Sequence, residues 1–300
     1  MPRLLTCGIV TWDWLYRVEQ VPPGPGVVEA RAFVGTGGGM AASAACAIGR
    51  LGGEVEFWGR CGDDRVGDEI LADMRGYGVR VDRVRRLAGH SSPVSAILID
   101  RDGERMIVPY YDPSLDQDPS WLPVGDIGAF DGVMVDARWP RGAARALDAA
   151  RAAGRIAMLD ADVAPREILD DLMARATHVV WSGVALRDWA ATDDPAEGLR
   201  AVRARFDGFL GVTVGAGGFR WLEGGELRAE PAPRVDAVDT LAAGDVFHGA
   251  FLLALAEGRD VASAARFANV AAALKCARFG SRTTTPTRAE VDGFLAGWRG

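Results

Sequence analysis

The residues with the clearest chemical potential run Val238-Asp239-Thr240-Leu241-Ala242-Ala243-Gly244-Asp245-Val246-Phe247. A turn of small residues opens there directly into an apolar helix. The first backbone N–H groups of a helix lack internal partners and sit at the positive end of its dipole. Ala242, Ala243 and Gly244 carry too little side chain to keep an anion away from those groups. Asp245 then sets a carboxylate beside the same spot. An acid there repels a phosphate, which suits plain binding poorly. It suits a general base that takes a proton from an attacking hydroxyl. An acid at a helix start also simply stabilises the helix, and the spacing alone allows both roles.

Two other glycine clusters stand before expected elements. Gly35-Thr36-Gly37-Gly38-Gly39 precedes a helix beginning at Met40. Bare backbone there can receive a hydroxyl or phosphate, or merely turn tightly, and no Gly-Lys-Ser/Thr ending makes it a P-loop. Thr213-Val214-Gly215-Ala216-Gly217-Gly218 follows an expected strand, but Phe219-Arg220-Trp221-Leu222 reads as another strand. The helix that a dinucleotide fingerprint needs is missing, which leaves a nucleotide-edge loop or a plain hairpin turn.

Arg138 follows a strand ending in Asp136, where α/β sheets present ligand-binding groups. It reads as a clamp for a phosphate, sulfonate or carboxylate, or as an ion pair with Asp136 or Asp162. Arg31 is a second candidate for the same role, or a solvated strand residue. Trp12, Trp14 and Trp139 could stack on a sugar or fill a core. His248 reads as a satisfied buried histidine.

The elements that must position these groups follow from periodicity. Residues 4–10, 55–59, 132–136, 155–160, 178–181 and 208–214 read as short apolar strands. Helical stretches such as 40–51, 66–74 and 142–153 fall between them, and 243–256 and 261–274 close the chain as helices of small residues. Alternating strands and helices predict a parallel sheet covered by helices, an α/β layered fold. Residues 27–34, 93–100 and 105–108 stand apart, the last two joined by Asp100-Arg101-Asp102-Gly103 as a hairpin. They predict a small sheet over the main one. No repeat or boundary interrupts the chain, so one continuous domain over 1–300 is expected.

Composition narrows the function. Hydrophobic residues make up 49% of the 300 and charged ones 25%, which excludes bulk disorder. With 34 basic against 41 acidic residues, nothing drives sequence-independent binding to nucleic acid. No apolar run approaches the ~18 residues of a membrane helix. The N-terminus reads as a strand and not as a signal peptide. The four scattered cysteines predict reduced thiols in a cytoplasmic protein. Three distant histidines argue against a histidine-rich metal site.

The sequence closely resembles the PfkB/ribokinase family of small-molecule kinases over essentially its whole length. Gly38-Gly39 with Ala41, Ala45, Leu51-Gly52 and Gly59-Arg60-Cys61-Gly62-Asp63-Asp64-Arg65-Val66-Gly67 is similar to the N-terminal signature. Asp239-Thr240-Leu241-Ala242-Ala243-Gly244-Asp245 is similar to the C-terminal one. Within the family, Asp136-Ala137-Arg138-Trp139, Leu159-Asp160-Ala161-Asp162, Asp245-Val246-Phe247-His248-Gly249-Ala250 and Ala271-Ala272-Ala273-Leu274-Lys275-Cys276 resemble sulfofructose kinases.

The resemblance implies a three-layer α/β/α fold, a β-sheet lid with strands from about 14–36 and 91–110, and ATP with Mg²⁺ as cofactors. Asp245 would be the base, and the amides of Ala242, Ala243 and Gly244 the anion hole. Asp13, Gly38, Gly39 and Ser43 would meet the sugar; Ser43 stands where an Asn is often found. Ser182, Thr213, Gly215 and Gly218 would border the nucleotide, with Asn269 near the adenine. Asp239 and the carbonyl of Leu241 would hold a monovalent cation such as K⁺. Many members carry Asn-x-x-Glu to organise magnesium where this chain has Ser182-Gly183-Val184-Ala185. Asp160 and Asp162 could hold metal-bound water instead, or cap the helix after Pro165. In sulfofructose kinases a Lys and an Asn help the Arg bind sulfonate. Val27 and Pro109 stand there, beside a retained Arg138.

These points imply an ATP-dependent kinase acting on a sugar hydroxyl, with an anionic ketose among the candidate substrates. A nucleoside kinase of the same family, or a non-catalytic sugar or nucleotide sensor on this fold, is the rival. A homodimer through the lid is the expected assembly, since lids in this family often pair and an open sheet edge needs cover.

Overall fold

Successive residues of a strand face opposite sides, and the central strands here are apolar on both. Leu4, Met134, Met158 and Val180 enter one core, whereas Leu5, Val133, Leu159 and Val179 enter another. Such strands need a helical layer on each face. The computed structural model, which describes residues 1–101, 103–115 and 117–298, has that arrangement. Among the described residues, nine strands form the main sheet, in the order Glu226–Glu230, Phe219–Glu223, Phe209–Thr213, His178–Ser182, Ile156–Ala161, Gly132–Asp136, Arg3–Cys7, Glu54–Trp58 and Val79–Arg80. Pairing is parallel except at the Glu226–Glu230 edge, where Phe209–Thr213 with Phe219–Glu223 and Phe219–Glu223 with Glu226–Glu230 pair antiparallel.

Helices Met40–Arg50, Arg65–Gly76, Ala243–Ala256 and Val261–Cys276 cover one face. Helices Pro140–Ala152, Arg166–Arg175, Gly183–Ala190 and Pro195–Arg203 cover the other. The pair Met40–Arg50 and Ala243–Ala256 packs closely because both are built of small residues. A Cβ on Gly249 would collide with the Ala44 backbone.

A second sheet of four strands runs Ala32–Gly38, Thr11–Arg17, Val94–Ile99 and Arg105–Tyr110. It differs from the expected one in two ways. The first strand of the main sheet ends at Cys7, and Thr11–Arg17 forms a separate strand at the centre of the small sheet. Residues 27–31 lie outside any strand, while Gly35, Gly37 and Gly38 lie within Ala32–Gly38. A Cβ at Gly37 or Gly38 would run into Arg282 or Asp13, and one at Gly35 would press on Trp14. These are glycines of close approach, and only Gly39, at φ 90°, turns the chain into the helix. Strands Val94–Ile99 and Arg105–Tyr110 pair antiparallel as expected; Asp102 of their turn lies outside the described residues. Among the described residues no helix is long and apolar enough to cross a membrane, and all four cysteines are free.

Candidate active site

The carboxyl ends of the parallel strands and one face of the small sheet enclose a cleft of about 490 Å³. Open α/β sheets place ligands at those strand ends. Asp160 comes from Ile156–Ala161, with Asp162 just beyond it, and Ser182 ends His178–Ser182. Thr11, Asp13, Ser95 and Ile97 line the cleft from the small sheet, where Asp13 pairs in register with Ser95. Arg105 and Ile107 join them from the edge strand. A second cavity of about 700 Å³ is lined by Gly215, Gly218, Ala243, Phe247 and Asn269, among others. The two meet at Thr213, Thr240 and Gly244.

Asp245 stands at that junction, in the first turn of helix Ala243–Ala256. The turn before it is built on Ala242, which takes left-handed backbone angles (φ 63°, ψ 9°) and offers the helix no side-chain cap. Ala243 N–H is drawn onto the Thr240 carbonyl at 3.2 Å, unlike the open amide expected of it. Among the described residues, the amides of Ala242 and Gly244 have no such bond outside the helix. Burial and the neighbouring Asp162, Asp136 and Asp13 push the Asp245 carboxyl up to about 7. A base poised near neutrality can accept a proton and release it again.

The other acids divide by role. Asp136 is fully buried and accepts from the N–H groups of Ile9 (2.9 Å), Ala41 (3.1 Å) and Arg138 (2.9 Å). It ties the main sheet to the start of the Met40 helix and thereby fixes Gly38 and Gly39. Burial holds its carboxyl above the usual range. Asp160 is raised well above that range by burial and then by Asp162, Asp245 and Asp136. Its Oδ2 lies 3.3 Å from His248 Nδ1. Burial pushes His248 down to about 4, so His248 is neutral and lines the cleft. Asp162 is the more open of the Asp160–Asp162 pair, and it accepts from Ser182 Oγ at 2.8 Å. Neither acid caps the helix after Pro165, which has no side-chain cap. Asp13 is buried, accepts from Thr11 Oγ1 at 2.8 Å, and is raised by burial. Ser43 Oγ is buried in the cleft wall and has no partner among the described residues.

The pfkB family carbohydrate kinase model matches residues 1–288. The chain belongs to the pfkB family of carbohydrate kinases. It is 28% identical to the ribokinase of Bacillus subtilis over 298 residues, covering 99% of this chain and 100% of that one. It is 30% identical to the ATP-dependent ribose-1-phosphate kinase of Halopiger xanaduensis over 301 residues, with 99% of both chains covered. A crystal structure of a provisionally named ribokinase from Agrobacterium tumefaciens superposes with a TM-score of 0.95 at 41% identity, covering 99% of this chain and 98% of that one. The chain is thus an enzyme of the sugar-phosphorylating class, with a ribokinase-like fold.

In this kinase, the sequence expectations sort cleanly. Asp13, Gly38, Gly39, Ser43, Arg138, Asp160, Asp162, Ser182, Ala242 and Asp245 line one cleft. Gly215, Gly218, Ala243 and Asn269 line the other, with Thr213 and Gly244 in both. Ser182 therefore lines the cleft with Asp13 and not the cavity with Asn269, and it caps helix Gly183–Ala190 by accepting from Ala185 N–H. Gly215–Gly217 forms a short 3-10 turn that is both the hairpin connection and the cavity wall. Asn269 Nδ2 donates to the carbonyls of Glu230 (2.9 Å) and Pro231 (3.2 Å). Arg138 is exposed to the cleft and has no ion pair with Asp136 or Asp162 among the described residues.

Other residues depart from the sequence expectation. Arg31 lies off the cleft, exposed and paired with Glu19 at 2.9 Å, because the strand starts only after it. Of the two roles open to the tryptophans, core filling is the one seen for Trp139, which is buried against Trp121; Trp14 stacks on Phe33, and neither they nor Trp12 line the cleft. Asp239, expected with the Leu241 carbonyl to hold a monovalent cation, does not have an open carboxylate. The Asp239 carboxylate is enclosed by three backbone N–H groups and by Lys275.

Sequence reasoning missed Thr11, Ser95, Ile97, Arg105, Ile107, Tyr111 and Thr240. Strand alternation links Ser95 with Ile97 and Arg105 with Ile107, but no local signal says which face meets the cleft.

Among the described residues, no three His, Cys, Asp or Glu side chains form a metal cage. A magnesium ion held mostly by phosphates needs only one or two protein carboxylates, often through water. The open Asp162 fits that need.

Proposed function

We propose that this kinase transfers the γ-phosphoryl group of ATP to a hydroxyl of a sugar that also carries an anionic group. One observation carries the reading. The base candidate Asp245 and the amides of Ala242 and Gly244 sit where a polar cleft meets a nucleotide-sized cavity. A sugar hydroxyl in the cleft, in line with a phosphate at the junction, is within the province of Asp245. The carboxylate accepts the hydroxyl proton as its oxygen attacks phosphorus. The bare helix start stabilises the charge on the transferred group. Asp13, Gly38, Gly39 and Ser43 orient the sugar, and the small sheet acts as a lid that keeps water from the phosphate. Gly215, Gly218 and Asn269 border the nucleotide. Asp162, with its neighbour Asp160, would hold the water of a magnesium ion bound with ATP, which would offset phosphate charge.

The anionic reading rests on Arg138 and Arg105, which line a cleft otherwise crowded with acids. The ribose-1-phosphate kinase relative acts on a charged sugar by its name. A sulfonated ketose has weaker support. Val27 is fully exposed outside the strand, and neither Val27 nor Pro109 lines the cleft.

A coupled ADP-release screen over ribose, fructose, their phosphates, sulfonated ketoses, aldonates and nucleosides tests this. A sugar phosphate or acid turned over faster than its neutral parent is expected. A preference for neutral sugars removes the anionic part, and ADP release with nucleosides alone moves the enzyme to the nucleoside branch.

We also propose a homodimer through the small sheet. Phe33, Met106, Ile107, Val108 and Tyr110 are exposed on its strands, and Ala32–Gly38 and Arg105–Tyr110 are its two edges. Apolar side chains beside an open edge favour a partner. The expected alternation over residues 27–31 plays no part, since that stretch is not a strand. Light scattering of a monomer at micromolar concentration contradicts the dimer.

A further inference from the structure

Asp239 opens the loop that ends at the catalytic helix, and its carboxylate is closed off from solvent. Its Oδ1 accepts from Leu241 N–H at 2.8 Å, and its Oδ2 accepts from the N–H groups of Gly280 (3.1 Å) and Ser281 (2.7 Å). Its main chain is stitched to the end of helix Val261–Cys276. The N–H groups of Val238 and Asp239 both donate to the Cys276 carbonyl, at 2.8 and 3.1 Å. A buried cation faces the Asp239 carboxylate. Lys275, from the last turn of that helix, is 0% exposed. Its Nζ donates to the Asp239 carbonyl oxygen at 2.6 Å and lies 3.4 Å from Asp239 Oδ1.

Buried charges persist when paired and hydrogen-bonded, and each of these two supplies what the other lacks. The resemblance to ribokinase-like proteins expects a monovalent metal ion on Asp239 and the Leu241 carbonyl. The residues present do not fit one. The lone pairs of Asp239 are spent on backbone N–H groups and on an ammonium, and a metal ion placed against them would sit beside a like charge. We infer that the ammonium of Lys275 takes the place of the monovalent cation, so that the positive charge under the anion-hole loop is part of the chain. The loop from Asp239 to Ala242 is then held by a covalently tethered cation. The kinase needs no potassium to set Ala242, Gly244 and Asp245 in position. The same charge acts on Asp245, favouring its ionised form.

The test compares the full chain in potassium, sodium and choline chloride at one ionic strength, by thermal unfolding and by turnover. A ligand that binds only the folded state raises Tm. Equal Tm values and rates within about twofold across the three salts are expected. A Tm raised by potassium, or a potassium activation of about fivefold or more, overturns the inference. Lys275→Met keeps most of the stem and drops the charge. It should lose about tenfold or more in kcat/KM for ATP, with part of the loss restored by potassium or ammonium ions. A Lys275→Met enzyme that works at the parental rate in choline also overturns it. If this variant does not fold, the Tm comparison on the parent chain decides alone. The turnover arm rests on the proposed kinase reading. A chain inactive on every sugar counts against that reading, while the salt dependence of Tm still answers the cation question.

Discussion

Arg105 Nη1 donates to Thr240 Oγ1 across 3.0 Å, which ties the edge strand of the small sheet to the loop leading into helix Ala243–Ala256. The two residues are far apart in sequence, and both line the cleft. The contact is exposed, so it contributes little to folding. Its position suits a clasp that forms when the small sheet lies against the anion-hole loop. Arg105→Ala should leave Tm nearly unchanged and raise the KM for sugar roughly two- to tenfold, the equivalent of a hydrogen bond worth about 0.5–1.5 kcal/mol. Steady-state kinetics beside a melting curve separates this from a folding defect, which would lower Tm as well.

Asp245 carries the second prediction, in two measurements. Asp245→Asn keeps the shape and removes the base, so turnover should fall roughly 10²–10⁴-fold with ATP binding retained. In the parent enzyme, kcat/KM should climb with pH through about 7 as the carboxyl ionises. The sign for stability is the reverse. An unfolded-chain Asp ionises near ~3.9, whereas the folded one holds its proton up to about 7. Folding stability attributable to this group is therefore greatest below the lower value and falls as pH rises through that window. Asn carries no such proton. Asp245→Asn should melt with the parent at pH 4 and above it at pH 8. Equal melting at both values, together with near-parental turnover, would mean that Asp245 is only a helix-end acid.

Arg138 offers the test of substrate charge. It is exposed in the cleft beside Asp160 and Asp162 and has no side-chain ion pair with either among the described residues. A clamp on an anionic sugar would be charge-assisted. Arg138→Ala should then raise KM for the charged substrate by about 1.5–3 kcal/mol, and hardly change KM for the neutral parent sugar. Losses of equal size on both would assign Arg138 to shaping the cleft.

How much of this was legible in the sequence depends on whether the signal was local. Helix Ala243–Ala256 begins where the small-residue turn said it would, and strand Gly132–Asp136 matches its apolar run residue for residue. Those features depend on neighbours along the chain. Strands Thr11–Arg17 and Ala32–Gly38 of the small sheet do not. Gly35, Gly37 and Gly38 read as a break because glycine is a poor strand former. They stand within a strand that pairs with Thr11–Arg17, and at Gly37 and Gly38 the side chains of Arg282 and Asp13 leave no room for a Cβ. Arg282 is itself buried, paired with Asp73 and aimed at the Gly38 carbonyl, a contact between distant parts of the chain. The pairing of Lys275 with Asp239 is equally non-local. Read along the sequence, Lys275 is one basic residue near a helix end, and only the folded chain turns it onto the loop.

Ala242 gives the last prediction, on the backbone itself. Its φ of 63° lies in the left-handed region, where an L-residue with a Cβ costs roughly 1–2 kcal/mol. Glycine meets no such penalty but loses more freedom on folding, about 0.5–1 kcal/mol. The two effects nearly offset, with a small balance in favour of glycine. Ala242→Gly should therefore melt level with the parent or up to about 3 °C above it. Its kcat should stay within about twofold, since the amide proposed to meet the phosphate is unchanged. Ala242→Val makes the opposite case. A β-branched side chain is a genuine outlier at that φ, so the turn must either strain or open. Opening it moves the amides of Ala242 and Gly244 and the Asp245 carboxylate together. Valine should lower both Tm and kcat, with the loss in kcat larger than any change in the KM for ATP. If valine is tolerated in both measurements, the left-handed turn does not set the anion hole, and the positioning of Asp245 must come from the helix alone.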